Sequence, residues 1–510
     1  MAEIFASKTA EIEEREVINA QISRKLAGEC MVLLENDGAL PIHTKKVALF
    51  GNGARATIKG GTGSGDVNTR NNVNIEQGFQ NAGIEVTTTA WLDRQEQNTS
   101  AAKAAYVQWM KEEAARKQTS ELAVMFDHPY KEPDCEIITI NDIDVSETDT
   151  AVYVIARNSG EGADRFDEEG DYRLYPHERG NIHLLAEVYD KLIVVLNIGG
   201  VMDLSEMRSI AGVNAILLMT QLGNLGGDAL LDVLTGKVNP SGKTTDTWAE
   251  NYMDYPSSAK FSHNESVHDE MYEDGIYVGY RYFDSFGVKP LYCFGYGKSY
   301  TDFEIKAGKI SVEGNEIQIP VTVKNTGKIY AGKEVVQLYI SDKNGTPDRP
   351  VKELKGFTKV MLEAGETKTI SLEICARDLS FYHEGLRDWY APSGRYEIAV
   401  GHASDDIRLT KEISFETKKQ LPFRVDGATT VGEILADPRT AGVMAQMLEA
   451  INNAAKTEEG QEAVSASDSE SDAAMMKALL DGMPMKSLIS FGVPGEQVEA
   501  IITQLDALCR

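Results

Sequence analysis

The 510 residues contain no apolar run approaching the roughly 20 that a membrane-spanning helix needs, so no transmembrane segment is read from them. The opening stretch, Met1 to Ala10, lacks a basic segment followed by an apolar one, and no secretory signal is read there either. Cysteine is sparse. Cys30, Cys135, Cys293, Cys375 and Cys509 are odd in number and far apart, with no Cys-x-x-Cys pair, which speaks against a disulfide framework and against a zinc site. Together these absences predict a reducing, cytoplasmic setting. Positive charge is also short: Lys plus Arg total 51 against 79 for Asp plus Glu, a formal net charge of -28. Such a field repels phosphate backbones and anionic lipid, so neither nucleic acid nor membrane is expected as a partner. A neutral ligand such as a sugar is unaffected by it.

What is present is organised in blocks. A chain this long exceeds one compact core. Residues 1 to about 30 read as an amphipathic helix, with Ile12, Val17, Ile18 and Ile22 among charged residues. Four short apolar runs follow, at 47–50, 151–155, 192–196 and 215–219, separated by helical spacing over 75–82, 101–118, 178–190 and 226–235. Runs of that kind are strands covered on both faces, which predicts an open α/β sandwich over 31–250 with its crevice at the carboxyl ends of the strands. A connector rich in Tyr, Phe, Asp and Gly spans 251–300. From 301 to 417 the pattern alternates, as in Ile317 to Val323 and Tyr396 to Val400, and predicts an all-β sandwich. The tail, 418–510, reads as helical around an acidic, Ser-rich linker at 456–473.

Two loops carry candidate chemistry. In Asn158-Ser159-Gly160-Glu161-Gly162 a buried run ends in a glycine-flanked carboxylate. Cleaving a glycosidic bond requires a carboxylic acid beside the leaving oxygen and a second carboxylate at the anomeric carbon. Glu161 suits the first task, although Gly-Glu-Gly is a short pattern that fits a plain turn as well. The second loop, Lys59-Gly60-Gly61-Thr62-Gly63-Ser64-Gly65-Asp66, follows the first strand. It is not a P-loop, because Asp66 stands where Lys is needed, and Gly297-Lys298-Ser299 has Tyr292 in place of the first P-loop glycine. A nucleotide-binding protein is thereby disfavoured, and a loop that brings backbone close to a sugar stays open beside an ordinary surface loop. The aromatic run Tyr272 to Asp284 reads as a packed connector rather than a sugar-stacking platform.

Taken in order, these pieces resemble the family 3 glycoside hydrolases, the β-glucosidase group. The matching stretches are Val32-Leu33-Leu34-Glu35-Asn36-Asp37-Gly38, the loop Gly60 to Val67, Ser159-Gly160-Glu161-Gly162, Asn239-Pro240-Ser241-Gly242, Gly275 to Asp284 and Phe294 to Thr301. The following sandwich resembles the family's fibronectin-type-III-like domain through Val323 to Gly327, Val335 to Tyr339 and Lys352 to Phe357. The resemblance implies a retaining hydrolase of β-linked substrates that needs no cofactor and no metal. In it Glu161 is the acid/base, and Lys59, Gly60, Gly61 and Asp66 lie in the loop over the sugar.

The family's nucleophile is an Asp on a separate (β/α)8 barrel of about 250 residues, and no such segment is legible here. Asp164, Asp167, Glu168 and Glu169 share the Glu161 loop and lie on its own side of the pocket. The expectation is therefore a split site, with a barrel chain or a homo-oligomer as partner and an exposed apolar surface where it docks. The alternative is a non-catalytic carbohydrate-binding or scaffold protein of the same descent.

Overall fold

A computed structural model describes residues 10–158, 165–261, 269, 271–313, 316–346, 348–417, 419–458, 478–479 and 481–509. The chain forms two compact units. One runs to Asp378 and resumes over Gly394–Phe415; the other comprises Leu379–Ser393 and the chain from Glu416.

The first unit opens on the predicted α/β block. Its sheet has six strands: β1 (Val32–Asn36), β2 (Lys46–Phe50), β3 (Glu85–Val86), β4 (Thr150–Arg157), β5 (Lys191–Ile198) and β6 (Val213–Leu218), in the order β1-β6-β5-β4-β2-β3. β2 to β6 run parallel, while β1 closes one edge antiparallel to β6. β4 and β5 are buried along nearly their whole length, as strands covered on both faces must be. Helix Ile75–Asn81 packs on helix Gly226–Leu234 at Gly78 and Gly227. A Cβ on Gly227 would lie 2.0 Å from the Asn74 carbonyl, so only glycine permits that approach.

Helix Glu14–Cys30 forms as the sequence predicts, but with the opposite face inward. Ile18, Ile22 and Leu26, one row at i, i+4 and i+8, are 47%, 51% and 54% exposed, and Val17 is exposed beside them. The inward face carries small residues and the ion pairs of Arg24. Ala27 and Gly28 are buried, Val238 lies 3.2 Å from where a Gly28 Cβ would sit, and Arg24 reaches Asp232 at 2.6 Å and Asp228 at 3.2 Å. Close approach to helix Gly226–Leu234 and a partly buried Arg pair decide the orientation against the apolar stripe.

The β-sandwich follows in the same unit. Phe303–Ala307, Ser311–Glu313, Glu316–Asn325 and Thr367–Cys375 form one antiparallel sheet. The other contains Gly332–Asp342, Glu353–Leu362, Gly394–Gly401 and Ile407–Phe415. Burial alternates along Glu316–Asn325, the period of two expected of a sheet with one face in the core. The aromatic connector is mainly packing, as predicted: Tyr280 is buried and stacks on Phe294 at 4.8 Å, while Tyr272 at its start is exposed. In the second unit helices Val431–Ala436, Ala441–Glu458 and Gly495–Cys509 pack with Met485–Phe491 around Val431, Ile434, Met444, Leu488 and Leu505. Much of the acidic linker read at 456–473 lies outside the described residues. No described helix is long and apolar enough to cross a membrane.

Candidate functional site

The order of the parallel strands reverses between β2 and β4: from β2 the chain adds β3 on one side, then β4, β5 and β6 on the other. Connections leaving such a neighbouring pair diverge and open a crevice at the strands' carboxyl ends. Both loops singled out from the sequence leave from these two strands. The glycine loop follows β2, and the segment containing Glu161 follows β4.

Local chemistry fixes the floor of this crevice. β2 pairs with β4 only as far as Phe50–Tyr153. Beyond it Gly51, at φ 96°, lies against the β4 backbone, where a Cβ would sit 2.1 Å from the Val154 carbonyl. Asn52 then takes over the ladder with its side chain. Its Oδ1 accepts from Ala156 N at 2.8 Å and its Nδ2 donates to Ala156 O at 3.3 Å.

The glycine loop is anchored by a residue the sequence did not reveal. Asn197, fully buried near the end of β5, accepts from Ile58 N at 2.6 Å and donates to Ile58 O at 3.0 Å and Thr220 O at 2.6 Å. The Lys59 carbonyl accepts from Gly223 N at 2.8 Å, which ties the loop to the segment after β6. An Asn closing an apolar strand was the one available signal. Thr220 itself is held at φ 62°, a strained position for a β-branched residue, at the same end of the sheet.

The structure brings Lys59, Gly60, Gly61 and Asp66 into one loop. Lys59 Nζ lies 2.9 Å from Asp66 Oδ1, with their side chains 21% and 68% exposed. A pair this exposed contributes under about 1 kcal/mol, so both groups can exchange partners for a polar ligand at little cost. A Cβ on Gly60 would be 3.0 Å from the Gly65 carbonyl, which is how tightly the loop turns on itself. At the same end of the sheet, a cavity of about 400 Å³ lies at the ends of β5 and β6, lined among others by Gly199, Gly200, Thr220, Gln221, Asp246 and Trp248.

Glu161, with Ser159, Gly160, Gly162, Ala163 and Asp164, lies outside the described residues; its two flanks lie within them. On the near side Arg157 is buried and makes a two-pronged pair with fully buried Glu178, at 2.9 and 2.5 Å. Burial alone would lower the Arg157 pKa, but Glu178 outweighs it and the net shift is upward, so the guanidinium stays charged. Asn158 Oδ1 accepts from Gln221 Nε2 at 3.5 Å. On the far side Arg165 Nε donates to Asp171 Oδ1 at 2.5 Å, and Phe166 N to Asp171 Oδ2 at 2.7 Å. Two further carboxylates of this stretch are engaged as well: Asp167 with Arg173 and Glu168 with Lys131, each at 2.5 Å. Among the described residues no group of His, Cys, Asp and Glu is placed to hold a metal ion.

Comparison with known proteins adds to this geometry. A family model described as the glycosyl hydrolase family 3 C-terminal domain matches residues 31–280, and one described as a fibronectin type III-like domain matches 334–404. The thermostable β-glucosidase B of Acetivibrio thermocellus is 34% identical over 354 residues, covering 67% of this chain and 45% of that protein. An exo-α-(1→6)-L-arabinopyranosidase of Bifidobacterium breve is 36% identical over 306 residues, covering 60% of this chain and 38% of that protein. Among solved structures, β-glucosidase 3B from Thermotoga neapolitana in complex with glucose has a TM-score of 0.67 at 35% identity, over 79% of this chain and 55% of that one. The chain spans about half the length of the relatives it matches.

Proposed function

Because the chain carries the C-terminal domain of glycosyl hydrolase family 3 with a fibronectin type III-like domain behind it, we propose that it forms the proton-transferring half of a β-glucosidase-type site. Glu161 donates the proton to the leaving glycosidic oxygen and afterwards takes one from water. Lys59, Gly60, Gly61 and Asp66 contact the sugar. The observation that supports this reading is topological: the two loops leave the two strands at which the sheet order reverses, where an open α/β sheet has its crevice.

The second carboxylate comes from outside these residues. A retaining site needs its two carboxyl groups about 5 Å apart, one on each side of the bond to be broken. Asp167, Glu168 and Asp171 share the Glu161 stretch, and each is already ion-paired. A (β/α)8 domain over the crevice supplies an Asp nucleophile, either on the same polypeptide or on another. The sugar is a β-glucoside or a close stereochemical relative of one.

The test measures hydrolysis of an aryl β-glucoside by this chain alone and together with a family 3 barrel domain. We expect no turnover alone, turnover in the mixture, and a loss of about 10²- to 10⁴-fold on Glu161→Gln. Equal turnover with and without the barrel would remove the need for an external nucleophile. Sugar binding without turnover in any mixture would instead favour the non-catalytic carbohydrate-binding reading.

A further inference from the structure

The cavity of about 400 Å³ at the ends of β5 and β6 has a lining suited to one kind of ligand. Thr220 and Gln221, in the turn after β6, line it. The same turn is bonded to the glycine loop: Asn197 Nδ2 donates to Thr220 O and to Ile58 O, and Gly223 N donates to Lys59 O. Residues 243–246 also line the cavity. Thr244 holds that stretch in place, its hydroxyl donating to Cys293 O at 2.6 Å and accepting from Tyr296 N at 3.0 Å. Trp248 completes the lining; it is 2% exposed and meets Tyr292 edge-on.

The polar groups of this lining fall into two sets. Lys243 is engaged, its Nζ donating to Gly297 O at 2.9 Å and pairing with Glu334 at 3.2 Å. The Trp248 indole N–H has no hydrogen-bond partner among the described residues, nor has the Thr220 hydroxyl. The Asp246 carboxylate accepts only from the neighbouring Thr245 hydroxyl, at 3.3 Å. An indole N–H on so buried a side chain ordinarily has a partner, and here the cavity is where one fits. An anion there meets Asp246, and an ammonium group leaves the indole donor unmatched. A hydroxylated neutral ligand satisfies both, because each hydroxyl donates and accepts. Val32, Ile198 and Leu218 supply apolar wall for its C–H faces. The volume lies within the range of about 300–1,000 Å³ usual for small-molecule sites.

We propose that this cavity is a second sugar subsite, taking one neutral pyranose ring through Trp248, Gln221 and Asp246. The inference rests on the function proposed above and extends it to a substrate of more than one ring. One ring lies at the glycine loop and the next in the cavity, the turn after β6 being bonded to the first and lining the second. The test uses the full chain by itself, with nitrogen-15 in its tryptophan indoles and cellobiose as the probe. Trp91, Trp109, Trp248 and Trp389 give four N–H signals, of which that of Trp91 is bonded to Ile137 O and serves as a control. Cellobiose in the millimolar range is expected to move the Trp248 signal saturably and leave Trp91 in place. Gln221→Ala and Asp246→Ala are each expected to weaken that binding about fivefold or more, the equivalent of one hydrogen bond. A Trp248 signal that cellobiose does not move, or a movement that neither substitution weakens, would overturn the subsite.

Trp248→Phe assigns the signal. Should that variant fold poorly, Cys30 gives an independent readout, because it lines the cavity and, like Cys375 on the sandwich, is exposed. Cellobiose is expected to slow alkylation of Cys30 and not of Cys375; unchanged alkylation of Cys30 would count against the subsite. Turnover by the chain with a barrel domain is measured separately. Hydrolysis of an aryl β-glucoside beside an unmoved Trp248 signal removes the subsite and keeps the hydrolase. A Trp248 shift that depends on Gln221 and Asp246, without turnover in any mixture, keeps the subsite and removes the hydrolysis.

Discussion

At the scale of single residues, the site depends on groups whose work is to hold backbone. Asn197 satisfies three partly buried backbone atoms at once, Ile58 N, Ile58 O and Thr220 O. Asn197→Ala leaves all three without their partner, at about 1–3 kcal/mol for each group that water fails to reach. We expect a destabilisation of about 2–4 kcal/mol by urea unfolding, and faster proteolysis in the glycine loop under native conditions. Lys59→Ala should behave differently. Its pair with Asp66 is exposed, so thermal stability stays within about 0.5 kcal/mol of wild type while sugar affinity falls. That contrast mirrors what was legible in the sequence. Glycines and a carboxylate in an ordered motif single out their loops from the sequence, whereas Asn197 at the end of an apolar run carries no motif, and its role emerges only when β5, β6 and the glycine loop meet.

At the scale of elements, the parallel strands were legible because burial on both faces leaves an unbroken apolar run, and the sandwich strands because one buried face imposes alternation. β1 was less so. Val32 to Asn36 shifts from apolar to polar midway, and nothing local says that it pairs antiparallel with β6. Helix Thr89–Lys117 starts well before the predicted 101, since Thr89 to Asn98 lacks a clear apolar period. The first helix formed as expected and turned the other way. A consequence follows for stability. Ile22→Ser, on the outer face, should change the midpoint of unfolding little, whereas Gly28→Val crowds Val238 and should cost about 1–3 kcal/mol.

The α/β block and the sandwich are joined by another buried pair. Glu334 lies 3.2 Å from Lys243 Nζ and 3.0 Å from His402 Nδ1. Burial pushes its carboxyl up, but the two partners outweigh this and hold it below the ordinary carboxylate value. A depressed pKa stabilises the fold above the unfolded value, near 4.3, and that stability is lost as pH falls through the folded one. Glu334→Gln should therefore lose about 3–5 kcal/mol at pH 7 and flatten the acid limb below about pH 4, as followed by chemical unfolding across that range.

At the scale of the whole molecule, the surface carries two features with one bearing. The net charge of -28 suits a neutral ligand rather than an anionic one. Exposed apolar side chains lie on the connections after both β2 and β4, Val67 after the glycine loop and Phe166 after the Glu161 segment, as well as along the first helix. Clustered exposed apolar side chains of this kind favour association. Light scattering of the isolated chain should show concentration-dependent association, reduced by Ile18→Ser with Ile22→Ser.

One small contact joins these two surfaces. Arg70, just past the glycine loop, reaches back to Glu16 at 2.8 Å and to the Ala10 carbonyl at 2.7 Å, so the loop's far end is tied to the start of the first helix. If a partner on that helix and a ligand in the loop both act on this tether, thermodynamic reciprocity makes the effect of each on the other's affinity the same factor. An exposed ion pair stores at most about 1 kcal/mol, which limits that factor to about fivefold and makes it shrink as salt is added.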